Sequence, residues 1–339
     1  MTDTPHDTHH HHPAIDPKRS LSALQIGVQV FGGLIGVGLL VWALSVVFSD
    51  ENREQLDRAL HAPLHLTLSL VGLSALSVIL NGLMFWAVAR PIRRLHPLSV
   101  IGVNAIATFL SVLPAKLGLA IRGLVHNRRD GMPLRDVIAW LAAMSALGLA
   151  ALVPIGAVSR WRLEIDIVWF ALALGGVALT HAMGVGLGKL AARGTLKGVL
   201  AIMSLGSYRI VQHPAPVAAH AVLRVADLGF LAVRFLIASS VLQMALPLDQ
   251  AILLGAMFFF FGVLAPAGTL GAREAAVAEI GVALGHDRAA VYTAVLFISA
   301  IELATSLVMA GVASFWIRPD RLLRAQRKAA TEATAATAG

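Results

Sequence analysis

The chain of 339 residues is strongly apolar: 57% of its residues are hydrophobic, only 14% are charged, and its mean hydropathy is +0.76. A soluble domain carries about 25% charged residues, so this composition excludes a soluble globular enzyme. The absence of cysteine excludes disulfides, iron–sulfur clusters, cysteine-ligated zinc and thiol catalysis. This composition is typical of a membrane protein. Its net charge of +8 is then expected to indicate which loops are cytoplasmic, and nucleic-acid binding is not expected.

Residues 1–20 are polar, contain three prolines and show no apolar periodicity, which predicts a disordered tail. The consecutive histidines His9 to His12 could bind a metal ion, but a flexible tail gives them no fixed geometry. From Leu21 the chain becomes hydrophobic, and six apolar stretches are long enough to cross a bilayer. These predicted spans are residues 22–48, 63–89, 134–158, 167–190, 215–245 and 288–316. The first is too long for a signal peptide, so we expect a retained anchor.

Two further apolar stretches, residues 98–125 and 250–285, are broken near their middle by LPAKLG (113–118) and APAGTLG (265–271). Proline blocks the continuation of a helix, and broken backbone at membrane depth is tolerated where protein or a watery cavity covers it. Each stretch therefore predicts two half-helices joined at a tip, a re-entrant hairpin. The predicted fold is an all-α, polytopic membrane helix bundle with about six full spans and two oppositely oriented hairpins. It forms one transmembrane domain, 21–317, followed by a basic and then Ala/Thr-rich tail, 318–339.

The basic loop residues favour one side of such a bundle. If both hairpins return to the side from which they enter, seventeen of the 27 basic residues share that side and five lie opposite. The positive-inside rule then predicts that both termini are cytoplasmic, in the cell inner membrane. The larger group comprises Lys18, Arg19, Arg90, Arg93, Arg94, Arg128, Arg129, Arg135, Lys189, Arg193, Lys197, Arg209, Arg318, Arg321, Arg324, Arg327 and Lys328, and the smaller group Arg53, Arg58, Arg160, Arg162 and Arg288.

The two broken stretches also resemble each other. FLSVLPAKLGLAIR (109–122) is similar to FFGVLAPAGTLGARE (260–274), and the spans that follow end in the similar sequences AALVPIGAVSRW and SLVMAGVASFW. Repeats of opposite orientation whose broken helices meet near the midplane are the architecture of alternating-access carriers. The sequence therefore predicts an inverted repeat. The alternative is that membrane segments rich in small residues resemble one another by composition alone.

Individual residues of these segments fit two known motifs. The matches are Asn104, Pro114, Gly118 and Arg122 in the first motif, and Pro266, Leu270, Gly271, Arg273 and Glu274 in the second. Over residues 20–316 the chain thereby resembles the lysylphosphatidylglycerol synthase transmembrane (flippase-like) family. It departs from the pattern at Leu119, where the family usually has glutamate, and at Thr269, which replaces a glycine. The resemblance implies a lipid flippase for aminoacylated phosphatidylglycerol, hopanoids or glycolipids. The bifunctional members add an aminoacyltransferase domain that these 339 residues do not contain, so lipid synthesis is not expected.

Charged residues inside membrane spans cost about 2.5–3.5 kcal/mol each on insertion scales, so each is a candidate for function. Lys116, Gly118 and Arg122 surround the first break. The N-terminus of a half-helix offers free N–H groups to a phosphate, which arginine can hold in a bidentate fork and lysine as a point charge. These residues are therefore predicted to bind substrate. The alternative is that Lys116 and Arg122 extend to the cytoplasmic interface.

Gly271 ends the second break, and Arg273 and Glu274 follow it. Adjacent helical residues point about 100° apart, so these two side chains are not expected to pair with each other. One would face the cavity and the other a neighbouring helix. They are predicted to bind substrate, and the alternative is a structural network that braces the hairpin.

The span 215–245 carries His220, Arg224, Asp227 and Arg234, whose spacings of four, three and seven place them on one helical face. This face must look into the bundle rather than into lipid. Arg224 and Asp227 could form an internal pair, and Glu274 or Glu302 could serve Arg234. Glu302, in the middle of the last span, could also carry a proton in a coupled transporter. A purely structural ion-pair role is the alternative for all of them.

These observations predict lipid translocation without a cofactor, because no nucleotide-binding or nucleophile–base pattern is present and the chain is not expected to be an enzyme. The expected partners are membrane lipids with anionic or zwitterionic headgroups, and a separate lipid-synthesising enzyme is possible. Two other functions remain open at this point. One is a secondary carrier for a small soluble anion, and the other is a non-transporting scaffold for a lipid-modifying enzyme.

Overall fold

The computed structural model describes residues 48–111, 117–162, 164–193, 204–264 and 271–317, together with residues 38, 41, 42, 44 and 45. Throughout these ranges the regular structure is helical, and no strand occurs in them. Several predicted features lie outside the described residues. They are the two tails, most of the first span 22–48, both hairpin tips and the candidate site residue Lys116.

Eleven α-helices lie in the described ranges, preceded by a short 3-10 helix at Asp50–Asn52. They are α1 (Arg53–Leu60), α2 (Leu64–Ala89), α3 (Pro97–Ser111), α4 (Leu117–Arg128), α5 (Leu134–Trp161), α6 (Ile167–Arg193), α7 (Tyr208–Val211), α8 (Pro214–Val241), α9 (Leu248–Leu264), α10 (Ala272–Ala283) and α11 (Arg288–Ile317). Four of them, α2, α5, α6 and α11, are long and apolar enough to cross a membrane. Their bounds agree with four predicted spans to within about three residues, the usual uncertainty of helix ends. The chain is therefore a helical, multi-pass membrane protein.

Helix α8 corresponds to the predicted span 215–245 and lies at the centre of the bundle. It has 28 residues and packs against α2, α5, α6, α9 and α11. It differs from the four apolar helices because it carries Arg224, Asp227 and Arg234. The neighbouring helices bury all three side chains, which keeps these charges away from lipid.

Both broken stretches form a pair of helices that return to the end of the bundle where they begin. α3 packs against α4, and α9 packs against α10. Val100 in α3 and Met132, just after α4, lie in the same apolar cluster. In the second pair, Gln250 in the first turn of α9 is hydrogen-bonded to His286, just after α10.

The two helix pairs open at opposite ends of the bundle. The apolar cluster at the open end of α3 and α4 includes Val217, in the first turn of α8. The cluster at the start of α9 includes Val241, the last residue of α8. Because α8 runs from one cluster to the other, α3 begins near the start of α8 and α9 begins near its end.

Small residues allow the helices to approach closely. This is usual inside membranes, where the hydrophobic effect does not drive helices together. A Cβ atom added to Gly82 in α2 would lie 2.7 Å from the Cα atom of Ile101 in α3. At Gly118 in α4 it would lie 2.2 Å from the carbonyl oxygen of Ala107 in α3. The predicted site residue Gly118 is therefore the contact point of the first helix pair.

An ion pair at the surface joins the end of α5 to the start of α6. Arg162, which follows α5, donates hydrogen bonds to the carboxylate of Asp166, and the backbone N–H of Trp169 in α6 also donates to it at 2.8 Å. The hydrogen bond from Arg162 lowers the pKa of Asp166 to about 2. Asp166 thus caps α6 as a carboxylate, where the helix dipole favours negative charge.

Candidate functional site

The polar face of α8 points into the bundle, as its spacing predicts. The side chains of His220, Arg224, Asp227 and Arg234 are all buried, with exposed fractions of 0%, 7%, 0% and 1%. Positions 220, 224, 227 and 234 recur at helical intervals and so share one face of α8.

The pair between Arg224 and Asp227 is present, with the guanidinium Nη1 2.9 Å from the carboxylate Oδ2. The hydroxyl of Ser77 in α2 donates to the other oxygen of this carboxylate. Arg234 donates to the hydroxyl of Ser74, also in α2, at 3.1 Å. Neither serine was predicted from the sequence to be a site residue. Their signal is the i,i+3 spacing of two hydroxyls in the middle of a largely apolar span, which places them on one face.

Glu274 is fully buried at the N-terminus of α10. Its Oε2 accepts the backbone N–H of Gly271 at 2.6 Å, which caps the helix. Its Oε1 accepts hydrogen bonds from Ser299 at 2.9 Å and from Arg273 at 2.7 and 3.0 Å. Gly271 has a φ of +87°, a conformation that side chains rarely adopt.

The expectation that Arg273 and Glu274 do not pair was wrong. It considered only the directions of the two Cα–Cβ bonds, which differ on a helix. The capping role turns the Glu274 carboxylate back over the first turn of α10. The long side chain of Arg273 follows it there, with its guanidinium 3.8 Å from the centre of the Phe258 ring.

Glu302 in α11 lies between two arginines from different helices. Its Oε2 is 3.7 Å from Nη1 of Arg234 in α8, and its Oε1 is 3.7 Å from Nη1 of Arg273 in α10. The sequence suggested Glu274 or Glu302 as a partner of Arg234, and in the structure Glu302 is the one in contact with it. Arg273, Glu274 and Glu302, from the last two helices, thereby join the polar face of α8.

Ion pairs link Arg234, Glu302, Arg273 and Glu274, and the Arg224–Asp227 pair lies near enough for the charges of Arg234 and Glu302 to act on Asp227. We call this charged cluster the central network. Its members are Arg224, Asp227, Arg234, Arg273, Glu274 and Glu302. Three arginines and three carboxylates give it a formal charge of zero. The network is thus compatible with burial in a membrane bundle, and an anion that enters it must compete with a carboxylate.

Arg122 in α4 differs from these arginines, since no ion pair to it is found among the described residues. Its Nη2 donates to Oδ1 of Asn104 in α3 at 2.6 Å, and its guanidinium lies 3.8 Å from the centre of the Phe85 ring in α2. Asn104 in turn donates to the carbonyl of Val78 at 2.8 Å, which fixes its amide. A half-buried cation with a neutral hydrogen-bond partner is available to an anion.

Two buried histidines face each other beside the network. The rings of His181 in α6 and His220 in α8 are stacked with their centres 6.1 Å apart. Within the described ranges, neither nitrogen of His220 has a hydrogen-bond partner. His181 was not singled out by the sequence, in which a lone histidine in a span carries no distinctive spacing.

An apolar groove of about 570 Å³ runs along α11, between this helix and α1. Its walls are almost entirely apolar, and Leu44 and Phe48 contribute to them. Ser299 also lines the groove and donates to Glu274 of the central network. A second apolar groove, of about 490 Å³, lies between α6 and α8 and includes His181. The first groove therefore meets the network at Ser299.

The chain was compared with models of protein families, with curated proteins and with solved structures, and no match was found. The resemblance to the flippase-like family therefore stays a prediction that rests on the two motifs. In the part of the chain that the structure describes, no group of three or more His, Asp or Glu side chains is placed to hold a metal ion.

Proposed function

We propose that this protein moves lipids across the cytoplasmic membrane in the manner of a flippase. The observation that carries the proposal is the contact of the central network with the apolar groove at Ser299. A lipid needs both surfaces, because its headgroup is polar and its acyl chains are not. A carrier for a soluble anion needs a cavity sealed toward the bilayer, so the groove favours a lipid over the soluble-anion alternative.

In the membrane, α3–α4 and α9–α10 are proposed to be re-entrant hairpins, and α8 and the stretch 22–48 complete six spans. The contacts between helices support an inverted repeat in which α2–α5 correspond to α8–α11, because each helix of one half packs against the other half in the same way as its counterpart. α3 packs against α11, and its counterpart α9 packs against α5. Likewise α2 contacts α11, and its counterpart α8 contacts α5. A two-fold relation between the halves produces this pattern.

Contacts between loops support the proposed orientation with cytoplasmic termini. Asp136 and Arg209, both assigned to the cytoplasmic side, form an ion pair at 2.7 Å. Arg58, assigned to the outside, donates to the carbonyl of Leu242 at the outer end of α8 at 3.3 Å. Each contact joins segments that the positive-inside rule places together.

Single cysteines test this topology, because the chain has none. We expect a membrane-impermeant thiol reagent applied to intact cells to label Glu54→Cys and Arg288→Cys, and not Arg94→Cys or Arg128→Cys. All four positions are exposed in the structure. Labelling of position 94 but not 54 would invert the orientation, and equal labelling of 128 and 288 would refute opposed hairpins.

Arg122 provides the cleanest test of headgroup recognition. Its replacement leaves no buried carboxylate unpaired, whereas replacement of Arg273 strands Glu274. We expect Arg122→Gln to lower the flipping rate of fluorescent phosphatidylglycerol by roughly tenfold or more, the loss of one charge-assisted hydrogen bond. The measurement is bleaching of the lipid in reconstituted vesicles by an impermeant reductant.

The matched control is Arg135→Gln, since the side chain of Arg135 is 77% exposed at the start of α5. This variant is expected to flip lipid at the wild-type rate. If both variants flip lipid as fast as the wild type, Arg122 does not bind the headgroup. If the wild type moves no lipid while remaining folded, the flippase proposal fails and a scaffold for a lipid-modifying enzyme is favoured.

A further inference from the structure

The three carboxylates of the central network are held in different ways. Asp227 and Glu274 are fully buried, and each accepts hydrogen bonds from a serine and an arginine. Glu302 keeps 23% of its side chain exposed, and its nearest arginine nitrogens lie at 3.7 Å, beyond hydrogen-bond distance. Its Oε2 accepts no hydrogen bond from the described residues. Glu302 is thus the least tightly held of the three carboxylates and is the one that an incoming anion can displace.

We propose that Glu302 is a placeholder for the phosphate of the transported lipid. In this inference, which rests on the proposed function, a headgroup phosphodiester takes the position of the Glu302 carboxylate between Arg234 and Arg273. The substrate class is then phospholipids, whether the rest of the headgroup is neutral or cationic. Glycolipids and hopanoids without a phosphate are excluded.

Charge and geometry both favour this exchange. A phosphodiester carries one negative charge, as a carboxylate does, so Arg234 and Arg273 keep one shared counter-charge between them when one replaces the other. Two guanidinium groups from different helices already converge on one point, and arginine binds phosphate through paired N–H donors. A phosphate with two free oxygens is larger than a carboxylate. Its oxygens can therefore come within hydrogen-bond distance of both guanidinium groups, whereas the carboxylate oxygens of Glu302 lie 3.7 Å away.

The path to this position follows α11. Ser299 lies one helical turn before Glu302 and lines the apolar groove. A phospholipid with an acyl chain in the groove therefore brings its phosphate beside Glu302. The exposed flank of Glu302 leaves the displaced carboxylate room to turn away.

Among the described residues, the other acidic groups near Glu302 are Asp227 and Glu274, which are fully buried and hydrogen-bonded. The charged residues near Glu302 are Asp227 and Arg234 of α8 and Arg273 and Glu274 of α10. Helices α2 and α3 contain no Asp, Glu, Lys or Arg. In α1 the acidic Glu54 is paired with Arg58 in a largely exposed position.

Glu302→Gln tests the placeholder directly. Without the competing carboxylate, we expect phosphatidylglycerol to bind roughly tenfold more tightly, the effect of a close charge pair that is mostly out of water. Binding is measured by calorimetric titration of the full chain in detergent, and by the rise in melting temperature on adding the lipid. Glucosyl diacylglycerol is uncharged and is not expected to distinguish the variant from the wild type. Inorganic phosphate, titrated separately, is expected to gain less than phosphatidylglycerol because it has no acyl chain for the groove.

The control is Glu279→Gln, which removes a carboxylate that pairs with Arg288 at the surface and should leave phosphatidylglycerol affinity unchanged. Equal affinity of the wild type and Glu302→Gln overturns the inference, and a gain for inorganic phosphate alone assigns the position to a soluble anion instead. Should Glu302→Gln fail to fold, Glu302→Asp is expected to bind phosphatidylglycerol more tightly because its shorter carboxylate competes less. Unchanged phosphatidylglycerol affinity of Glu302→Asp would likewise overturn the inference.

These measurements separate the inference from the proposed function. Tighter phosphatidylglycerol binding without flipping by any variant supports the phosphate position and refutes translocation. Wild-type flipping of phosphatidylglycerol with no change of affinity in Glu302→Gln supports translocation and refutes the placeholder.

Discussion

Replacing Asp227 with asparagine is expected to lower the free energy of unfolding by ~3–5 kcal/mol, the usual cost of breaking a buried pair by removing one partner. The variant leaves Arg224 as a buried cation without its carboxylate, 2.9 Å away in the wild type. The double variant Arg224→Gln/Asp227→Asn removes both charges and is expected to recover the stability, because loss of both partners is nearly neutral. Thermal melts in detergent measure both effects.

Flipping assays on the same double variant distinguish a structural pair from a functional one. If Arg224 contacts the headgroup, the double variant is stable but flips lipid slowly, and this is the expected result. His220 and Arg234 extend the buried polar face of α8 beyond the needs of one ion pair. Asp57→Asn, at an exposed position in α1, is the control and should change neither property. A double variant that is both stable and fully active would limit Arg224 to a structural role.

Glu274→Ala is expected to destabilise the protein by a similar amount, ~3–5 kcal/mol, since it removes the hydrogen-bonded partner of the largely buried Arg273 and leaves only the Glu302 carboxylate, 3.7 Å away. It also removes the cap on the N-terminus of α10, which alone is worth about 0.5–2 kcal/mol. The Oε1 and Oε2 atoms of Glu274 accept hydrogen bonds from three neighbours, Gly271, Arg273 and Ser299. Thermal melts in detergent again provide the measurement.

The same helix supplies the control for this prediction. Glu279, five residues later in α10, forms an ion pair with Arg288, and both side chains are more than 40% exposed. Exposed pairs contribute about 0–1 kcal/mol, so Glu279→Ala should shift the melting temperature little. Equal shifts for Glu274→Ala and Glu279→Ala would show that the second helix pair does not depend on its buried cap.

The helices and the inward face of α8 were predictable from the order of residues alone. Apolar length set the bounds of α2, α5, α6 and α11, and proline and glycine divided the two broken stretches, because these effects act within a few residues. The burial of His220, Arg224, Asp227 and Arg234 followed from their helical spacing. The Arg224–Asp227 pair was predictable for the same reason, since its members are one turn apart.

The charges that remain available to a ligand depend instead on how the helices pack. Ser74 and Ser77 reach α8 across 160 and 150 positions of the chain, and Glu302 bridges arginines of two other helices. Local periodicity contains no information about such contacts, because they depend on which helices become neighbours. The arginines suggested a positively charged substrate site from their positions alone. The packing instead makes the network neutral, because burial in a membrane bundle requires each of these charges to be balanced by a carboxylate from the same or another helix.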